Sequence, residues 1–226
     1  MKEKHWLLLF FFVLTGHITA MRLQQEGLQM VLKPMIVITL FGYFDSRVQL
    51  PGQALAKWLL AALFFSLVGD SLLLFQERKS IFFLLGLSSF LLAHVCYIIF
   101  FGKIWKKEAV QVRWLIPLAA VVYYAGLVYV LFPHLQDMTA PVMVYGVVIS
   151  AMLVLAAHMQ FIRNQKAGNW LMTGAVLFVI SDSVLALNKF YKPFSGADIV
   201  IMVTYGLAQL FIVKGAADYL TQKQPG

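Results

Sequence analysis

Long apolar runs alternate with short polar connections along the chain. Eight of the runs are long enough, or nearly so, to cross a hydrocarbon core, which takes about 20 apolar residues of helix. The predicted helices span residues 6–21, 28–44, 54–76, 80–101, 113–132, 140–161, 170–188 and 197–218. The connections carry turn-forming or polar residues, as in SRVQLPGQ and YKPFSG. This pattern predicts an all-α polytopic membrane protein, a single transmembrane domain over residues 1–226 built as a bundle of about eight transmembrane helices.

The composition supports the same class. Of the 226 residues, 61% are hydrophobic and only 12% are charged, which lies well outside the range of soluble globular domains. The first apolar run follows two lysines and also has the features of a signal peptide. We expect it to be a retained helix, because its removal would leave seven helices and reverse the charge asymmetry of the connections.

Lysine and arginine are unevenly distributed between the connections. The amino terminus, the second, fourth and sixth connections and the carboxyl end, together with the adjoining helix ends, hold twelve of them, whereas the other four connections hold five. Because cytoplasmic loops are enriched in these residues, we expect both termini to face the cytoplasm, in a multi-pass protein of the cell membrane. Orientation and contact with anionic membrane lipids account for the net charge of +8, so the sequence indicates no nucleic-acid partner, and no protein partner is evident.

Two carboxylates lie inside apolar runs in matching contexts. Asp70 stands in SLVGDSLLLF and Asp182 in VISDSVLAL. Each precedes the outer end of its predicted helix by six residues, which puts both roughly 9 Å below the outer membrane boundary. An ionised Asp at the centre of a membrane helix costs about 2.5 to 3.5 kcal/mol on insertion scales. We therefore expect both side chains to face a protein interior or a wet cavity rather than lipid.

Three more polar side chains fall near this depth: Lys33 in the second helix, Tyr145 in the sixth and Tyr205 in the eighth. In a purely structural interpretation, Lys33 neutralises one acid and the tyrosines donate hydrogen bonds, which leaves the second acid unexplained. Mutual repulsion and desolvation should instead keep one carboxyl protonated and the other ionised. Such a pair suits general acid and general base catalysis, or a proton relay in a transporter.

The other chemistry-bearing residues give weaker signals. The five histidines show no metal-ligand spacing, so the sequence predicts no metal site and no cofactor. His94 alone lies among the polar intramembrane positions, about 10 Å from the predicted inner end of its helix, either at the deep end of a cavity or as a hydrogen-bonded core residue. Aromatic runs such as LLLFFF and YYAGLVYV are expected to face lipid or the membrane interface.

Several stretches, in this order, resemble the YhhN family of membrane proteins. They are Lys33-Pro34, Gly69-Asp70, GLSSFLLAHVCYIIFF with His94 and Tyr97, Tyr145, GAVLFVISDSVLALNKF around Asp182, and Tyr205 with Gln209. The similarity runs from the second helix to the eighth. The family's characterised members are lysoplasmalogenases, which cleave the vinyl ether bond of a lysoplasmalogen to a fatty aldehyde and glycerophosphocholine or glycerophosphoethanolamine. The resemblance implies an ether hydrolase with a lysophospholipid substrate.

The resemblance also suggests roles for the buried polar residues. Vinyl ether hydrolysis needs a proton donor and a group that activates water, so one of Asp70 and Asp182 would be the acid while the other stabilises the cation and assists water. Lys33 would hold the ionised acid and contact the phosphate. Tyr145 and Tyr205 would orient water or the glycerol hydroxyl.

Placement near the outer boundary suits a lipid whose head stays at the interface while its alkenyl chain enters between the helices toward His94. Asn188 and Lys189, at the end of the seventh helix, would meet the phosphate, although a lysine there also suits snorkelling to the interface. The alternative class is a proton-coupled transporter or lipid flippase that uses the same acids, with the match of the third and seventh helices reflecting a duplicated four-helix unit. A third hypothesis, a scaffold or assembly factor, predicts tolerance of Asn at both acidic positions.

Overall fold

The computed structural model describes residues 2–48 and 54–222. Residues 49–53 of the predicted connection SRVQLPGQ and Lys223 at the carboxyl end lie outside these ranges. The helices are α1 (Glu3–Arg22), α2 (Glu26–Val48), α3 (Ala56–Leu73), α4 (Ser80–Glu108), α5 (Leu115–Leu131), α6 (Thr139–His158), α7 (Gln165–Ala186) and α8 (Ala197–Leu220). With short helical turns added to α5, α6 and α7, all eight are long and apolar enough to cross a membrane. The described residues contain no strand, and the predicted all-α polytopic class is confirmed.

The chain divides into two compact units. The first contains the described residues up to Phe100 and from Val213 onward, and the second is Phe101–Ile212. In the first unit, α1 and α2 form a helical hairpin through a short turn in which Gln24 has a φ of 53°. The Gln29 side chain donates to the Ala20 carbonyl at 3.3 Å, and this bond sets the register between the two helices.

A close approach of α3 and α4 surrounds the first intramembrane acid. A Cβ on Gly69 would lie 2.7 Å from the Phe90 ring, so only glycine allows α4 to pack this near. The Ser89 hydroxyl, also on α4, donates to the Phe65 carbonyl of α3 at 2.7 Å. This bond satisfies a polar group that has no water partner inside a membrane. The contact buries the next residue along the chain, Asp70.

Arg47, near the end of α2, connects three helix ends in the first unit. Its guanidinium lies 3.1 Å from the Glu3 carboxylate in the first turn of α1 and 2.9 Å from the Asp218 carboxylate near the end of α8. It also donates to the Tyr43 hydroxyl at 3.1 Å. The amino-terminal end of α1 and the carboxyl-terminal end of α8 therefore lie on the same side of the membrane-spanning helices.

In the second unit, α7 begins against the turn that follows α6. The Asn164 side chain caps α7 by accepting the Ala167 amide N–H at 3.1 Å, which satisfies one of the donors left over at a helix start. A Cβ on Gly168 would lie only 1.9 Å from the Met159 carbonyl oxygen. Further along, a Cβ on Gly174 would lie 2.8 Å from a carbonyl oxygen of α8. Glycine at these two positions lets α7 contact neighbouring backbone directly.

The helix α4 runs seven residues past its predicted end at 101. Lysines are typical of a helix end, because cations interact favourably with the exposed carbonyls, and Lys106 and Lys107 stand in the last turn. The Trp105 ring stacks on His158 with ring centroids 4.9 Å apart. The helix therefore continues through the polar residues that follow its predicted end.

Candidate active site

Asp70 is buried beside a lysine in the first unit. Its side chain is only 2% exposed, and the Lys33 ammonium of α2, 15% exposed, lies 3.8 Å from its carboxylate. Burying either charge alone would be costly, so each makes the burial of the other tolerable. The structure thus brings together two of the residues that the sequence placed at similar depth.

A histidine that the sequence did not single out lies near this ion pair. His17 of α1 is buried, and its Nδ1 has no hydrogen-bond partner within the described part of the chain. The preceding residue, Gly16, faces Leu32, so the antiparallel hairpin puts His17 within about one helical turn of Lys33, with which it interacts electrostatically. A histidine in the middle of an apolar helix was the only sequence signal for this position.

His94 also belongs to the first unit and is fully buried. Because α4 runs from Ser80 to Glu108, His94 lies fourteen residues from either end, at the middle of the helix. The sequence boundaries had put it nearer the inner end, and that estimate was wrong because α4 continues through its polar terminal turns.

Asp182, on α7 in the second unit, accepts a hydrogen bond from a tyrosine. The Tyr145 hydroxyl of α6 lies 2.5 Å from Asp182 Oδ2. A hydrogen bond from a hydroxyl to a carboxyl group is about twice as strong when the carboxyl is ionised as when it is neutral. Tyr145 is buried while Asp182 is half-buried, so the tyrosine holds a carboxyl that remains accessible.

A cavity of about 530 Å³ lies beside this pair in the second unit. Side chains of α5, α6 and α7 line it, and most of them are aliphatic or aromatic. The polar members include Asp182, Tyr145, Tyr123, Tyr124 and Ser183. An acid with a hydrogen-bonded tyrosine in the wall of an otherwise apolar cavity can transfer a proton to a hydrophobic substrate.

Two other predicted binding residues have partners within the second unit. Tyr205 of α8 is buried, accepts a hydrogen bond from the Gln209 amide at 3.4 Å and packs edge-on against Phe178. Asn188 lies in the π-helical segment Leu187–Tyr191, which continues α7, and its side chain accepts the Phe194 amide N–H at 3.1 Å. Asn188 therefore stabilises the turn after α7, in addition to any contact with a ligand.

The cavity contains residues that the sequence assigned to lipid or did not consider. Tyr123 and Tyr124, in the run YYAGLVYV, line it instead of only facing lipid. The Tyr123 hydroxyl makes a short hydrogen bond with Ser183, the residue after Asp182. The only sequence signal for Ser183 was the Asp-Ser pair shared with the first acid, at Ser71.

Comparisons with known proteins extend over most of the chain. The profile of the YhhN family matches residues 28–216. The chain is 33% identical over 187 residues to the lysoplasmalogenase TMEM86B of Homo sapiens, covering 82% of this chain and 74% of that protein. It is 34% identical over 162 residues to a lysoplasmalogenase of Mycobacterium tuberculosis, covering 70% of this chain and 60% of that protein. It is 33% identical over 170 residues to the human lysoplasmalogenase TMEM86A, covering 72% of this chain and 66% of that protein. No solved structure matches the chain.

Proposed function

The chain belongs to the YhhN family, and on this premise we propose that it is an integral-membrane hydrolase that cleaves the vinyl ether bond of lysoplasmalogens. The products would be a fatty aldehyde and glycerophosphocholine or glycerophosphoethanolamine. The relatives named lysoplasmalogenase support the substrate class. The observation that carries the chemistry is the hydrogen-bonded pair of Asp182 and Tyr145 in the wall of a largely apolar cavity.

The reaction is acid-catalysed addition of water followed by collapse. A proton is transferred to the alkene carbon distal to the ether oxygen, which gives an oxocarbenium ion. Water adds to the cationic carbon and loses a proton to a base, forming a hemiacetal. The hemiacetal then releases the glycerol hydroxyl and the aldehyde. One water is consumed with no change of oxidation state, so an acid, a base and water are sufficient.

We assign the proton donor to Asp182. Because Tyr145 donates to Oδ2, this assignment puts the transferred proton on Oδ1. As this proton moves to the alkene, negative charge develops on the carboxyl and the tyrosine hydrogen bond strengthens. Tyr145 therefore stabilises the transition state more than the ground state, which is the condition for accelerating the chemical step.

We infer that Asp70 is the ionised acid, and its role as the base that accepts a proton from water stays a prediction. An ion pair with Lys33 requires the ionised form, so Asp70 has a negative charge to offer rather than a proton. The roles of Tyr205 in orienting water and of Asn188 and Lys33 in phosphate binding stay predictions.

The test uses purified protein in detergent with a lysoplasmalogen and with its saturated alkyl-ether analogue. We expect aldehyde from the vinyl ether alone, and Asp182→Asn and Asp70→Asn should each lower kcat by about a hundredfold or more. Asp198→Asn and Asp45→Asn change exposed acids of the same two units and serve as matched controls. A folded wild-type protein that releases no aldehyde excludes this substrate, and lipid movement across vesicles without cleavage would favour the flippase alternative. Full activity in an Asn variant removes that residue from the mechanism.

We also propose that both termini face the cytoplasm and that the protein resides in the cell membrane. The lysine and arginine distribution supports this orientation, and the Arg47 ion pairs put both terminal helix ends on one side. A carboxyl-terminal fusion to alkaline phosphatase should be inactive and a fusion to green fluorescent protein should fluoresce. The reverse pattern would overturn the orientation.

A further inference from the structure

Most of the hydroxyl groups that line the cavity of the second unit have partners within its own wall. Ser183 donates to the Val179 carbonyl at 2.6 Å and bonds the Tyr123 hydroxyl. Tyr124 donates to the Met143 carbonyl at 3.1 Å. Because these donors already have partners, the wall presents mainly hydrocarbon and ring surface to whatever enters the cavity.

A polar headgroup is a poor match for such a wall. Its oxygens would leave water without gaining hydrogen bonds, which is unfavourable in an apolar site. A hydrocarbon chain needs no hydrogen bonds, so it can leave the lipid or detergent around the helices for this wall without losing any.

We propose that this cavity binds the hydrocarbon chain of a single-chain lipid next to its ether oxygen, so that the reacting double bond lies against Asp182 and the cavity selects the chain. This inference deepens the proposed function and rests on it for the identity of the bond. It places the chain among α5, α6 and α7, whereas the sequence had suggested a path toward His94.

The cavity extends to both sides of the acid. Its lining on α6 runs from Val142 to Ser150, about 12 Å along the helix, and on α7 from Val179 to Ala186, about 10 Å. Asp182 lies between these ends. Ser150 and Ala186 are small residues near opposite ends, so a phenylalanine at either position shortens the space on one side of the acid.

Two variants, Ser150→Phe and Ala186→Phe, test whether the cavity holds the chain. The measurement is the ratio of kcat/KM for a hexadecenyl lysoplasmalogen to that for an octenyl one. A phenylalanine that displaces several methylenes from the cavity removes the packing contacts that they make there, so the ratio should fall severalfold. Val147→Phe, on the exposed face of α6 and outside the lining, is the matched control and should keep the wild-type ratio.

Failure of both Phe variants to change the ratio, with each protein folded, would overturn the inference. A second measurement needs no variant: photolabelling of wild-type protein with a saturated alkyl-ether lysolipid that carries a diazirine in its chain. We expect labelling of the α5 and α6 peptides that excess unlabelled lysolipid suppresses. Suppressible label found only outside the cavity lining would refute the chain site.

The two measurements separate this inference from the proposed function. Suppressible labelling in the cavity without any vinyl ether cleavage would support a chain site and exclude the lysoplasmalogenase activity. Cleavage with an unchanged chain-length ratio and labelling elsewhere would support the activity and exclude the chain site.

Discussion

The ion pair between Lys33 and Asp70 allows a quantitative test of the first unit. Its charges are 3.8 Å apart, and the acid is almost fully buried. Two unit charges at this distance attract by about 4 kcal/mol at an effective dielectric constant of about 20, but by only about 1 kcal/mol in water. The structure therefore predicts a coupling well above the value for an exposed pair.

The perturbation is a double-mutant cycle of Lys33→Met and Asp70→Asn. Lys33→Met alone leaves an uncompensated buried carboxylate and should lower the free energy of unfolding by about 3 to 5 kcal/mol. Adding Asp70→Asn removes that charge and should restore much of the loss. The cycle cancels the separate desolvation costs and isolates the pairwise term, which we expect at about 2 to 4 kcal/mol.

The assay is reversible unfolding in mixed micelles by titration with sodium dodecyl sulfate near neutral pH, followed by far-UV circular dichroism. Lys57→Met changes an exposed lysine of α3 and should alter stability by less than about 0.5 kcal/mol. A coupling energy of about 1 kcal/mol or less would refute the reasoning, because it would mean that water screens the pair.

Two further substitutions test the second unit. Tyr145→Phe removes the hydrogen bond to Asp182 and should lower kcat/KM by about tenfold to a hundredfold. Tyr129→Phe, on the exposed face of α5, is the control and should leave kcat/KM unchanged. Equal effects of the two substitutions would remove Tyr145 from the mechanism. Gly168→Ala places a Cβ against a backbone carbonyl and should lower the free energy of unfolding by about 3 kcal/mol or more in the same assay. Gly126→Ala, where the added Cβ has open space around it, is the control and should raise the free energy of unfolding by about 0.5 to 1 kcal/mol. A tolerated Gly168→Ala would show that α7 does not start this close to the preceding turn.

Much of the candidate site was visible in the sequence as a set of depths. Counting residues from helix ends placed Lys33, Tyr145 and both acids at similar depth without saying which of them are neighbours, and the structure joins Lys33 to Asp70 and Tyr145 to Asp182. The depth of His94 was wrong because polar residues at the end of α4 continue the helix. Residue counting depends on helix ends, and helix ends near a membrane surface are weakly marked in composition.

The sequence by itself determined the class of the protein, the number of spanning helices and the presence of acids within them. These are local properties, because each helix satisfies its own backbone hydrogen bonds and needs only enough apolar length to cross the membrane. Which side chains share a cavity depends on how each helix is rotated and which helix packs beside it. Helices that are apolar on nearly every face carry no periodic signal for that rotation. Only the tertiary structure could therefore bring Tyr123 and Ser183 to the cavity at Asp182, and His17 near Lys33.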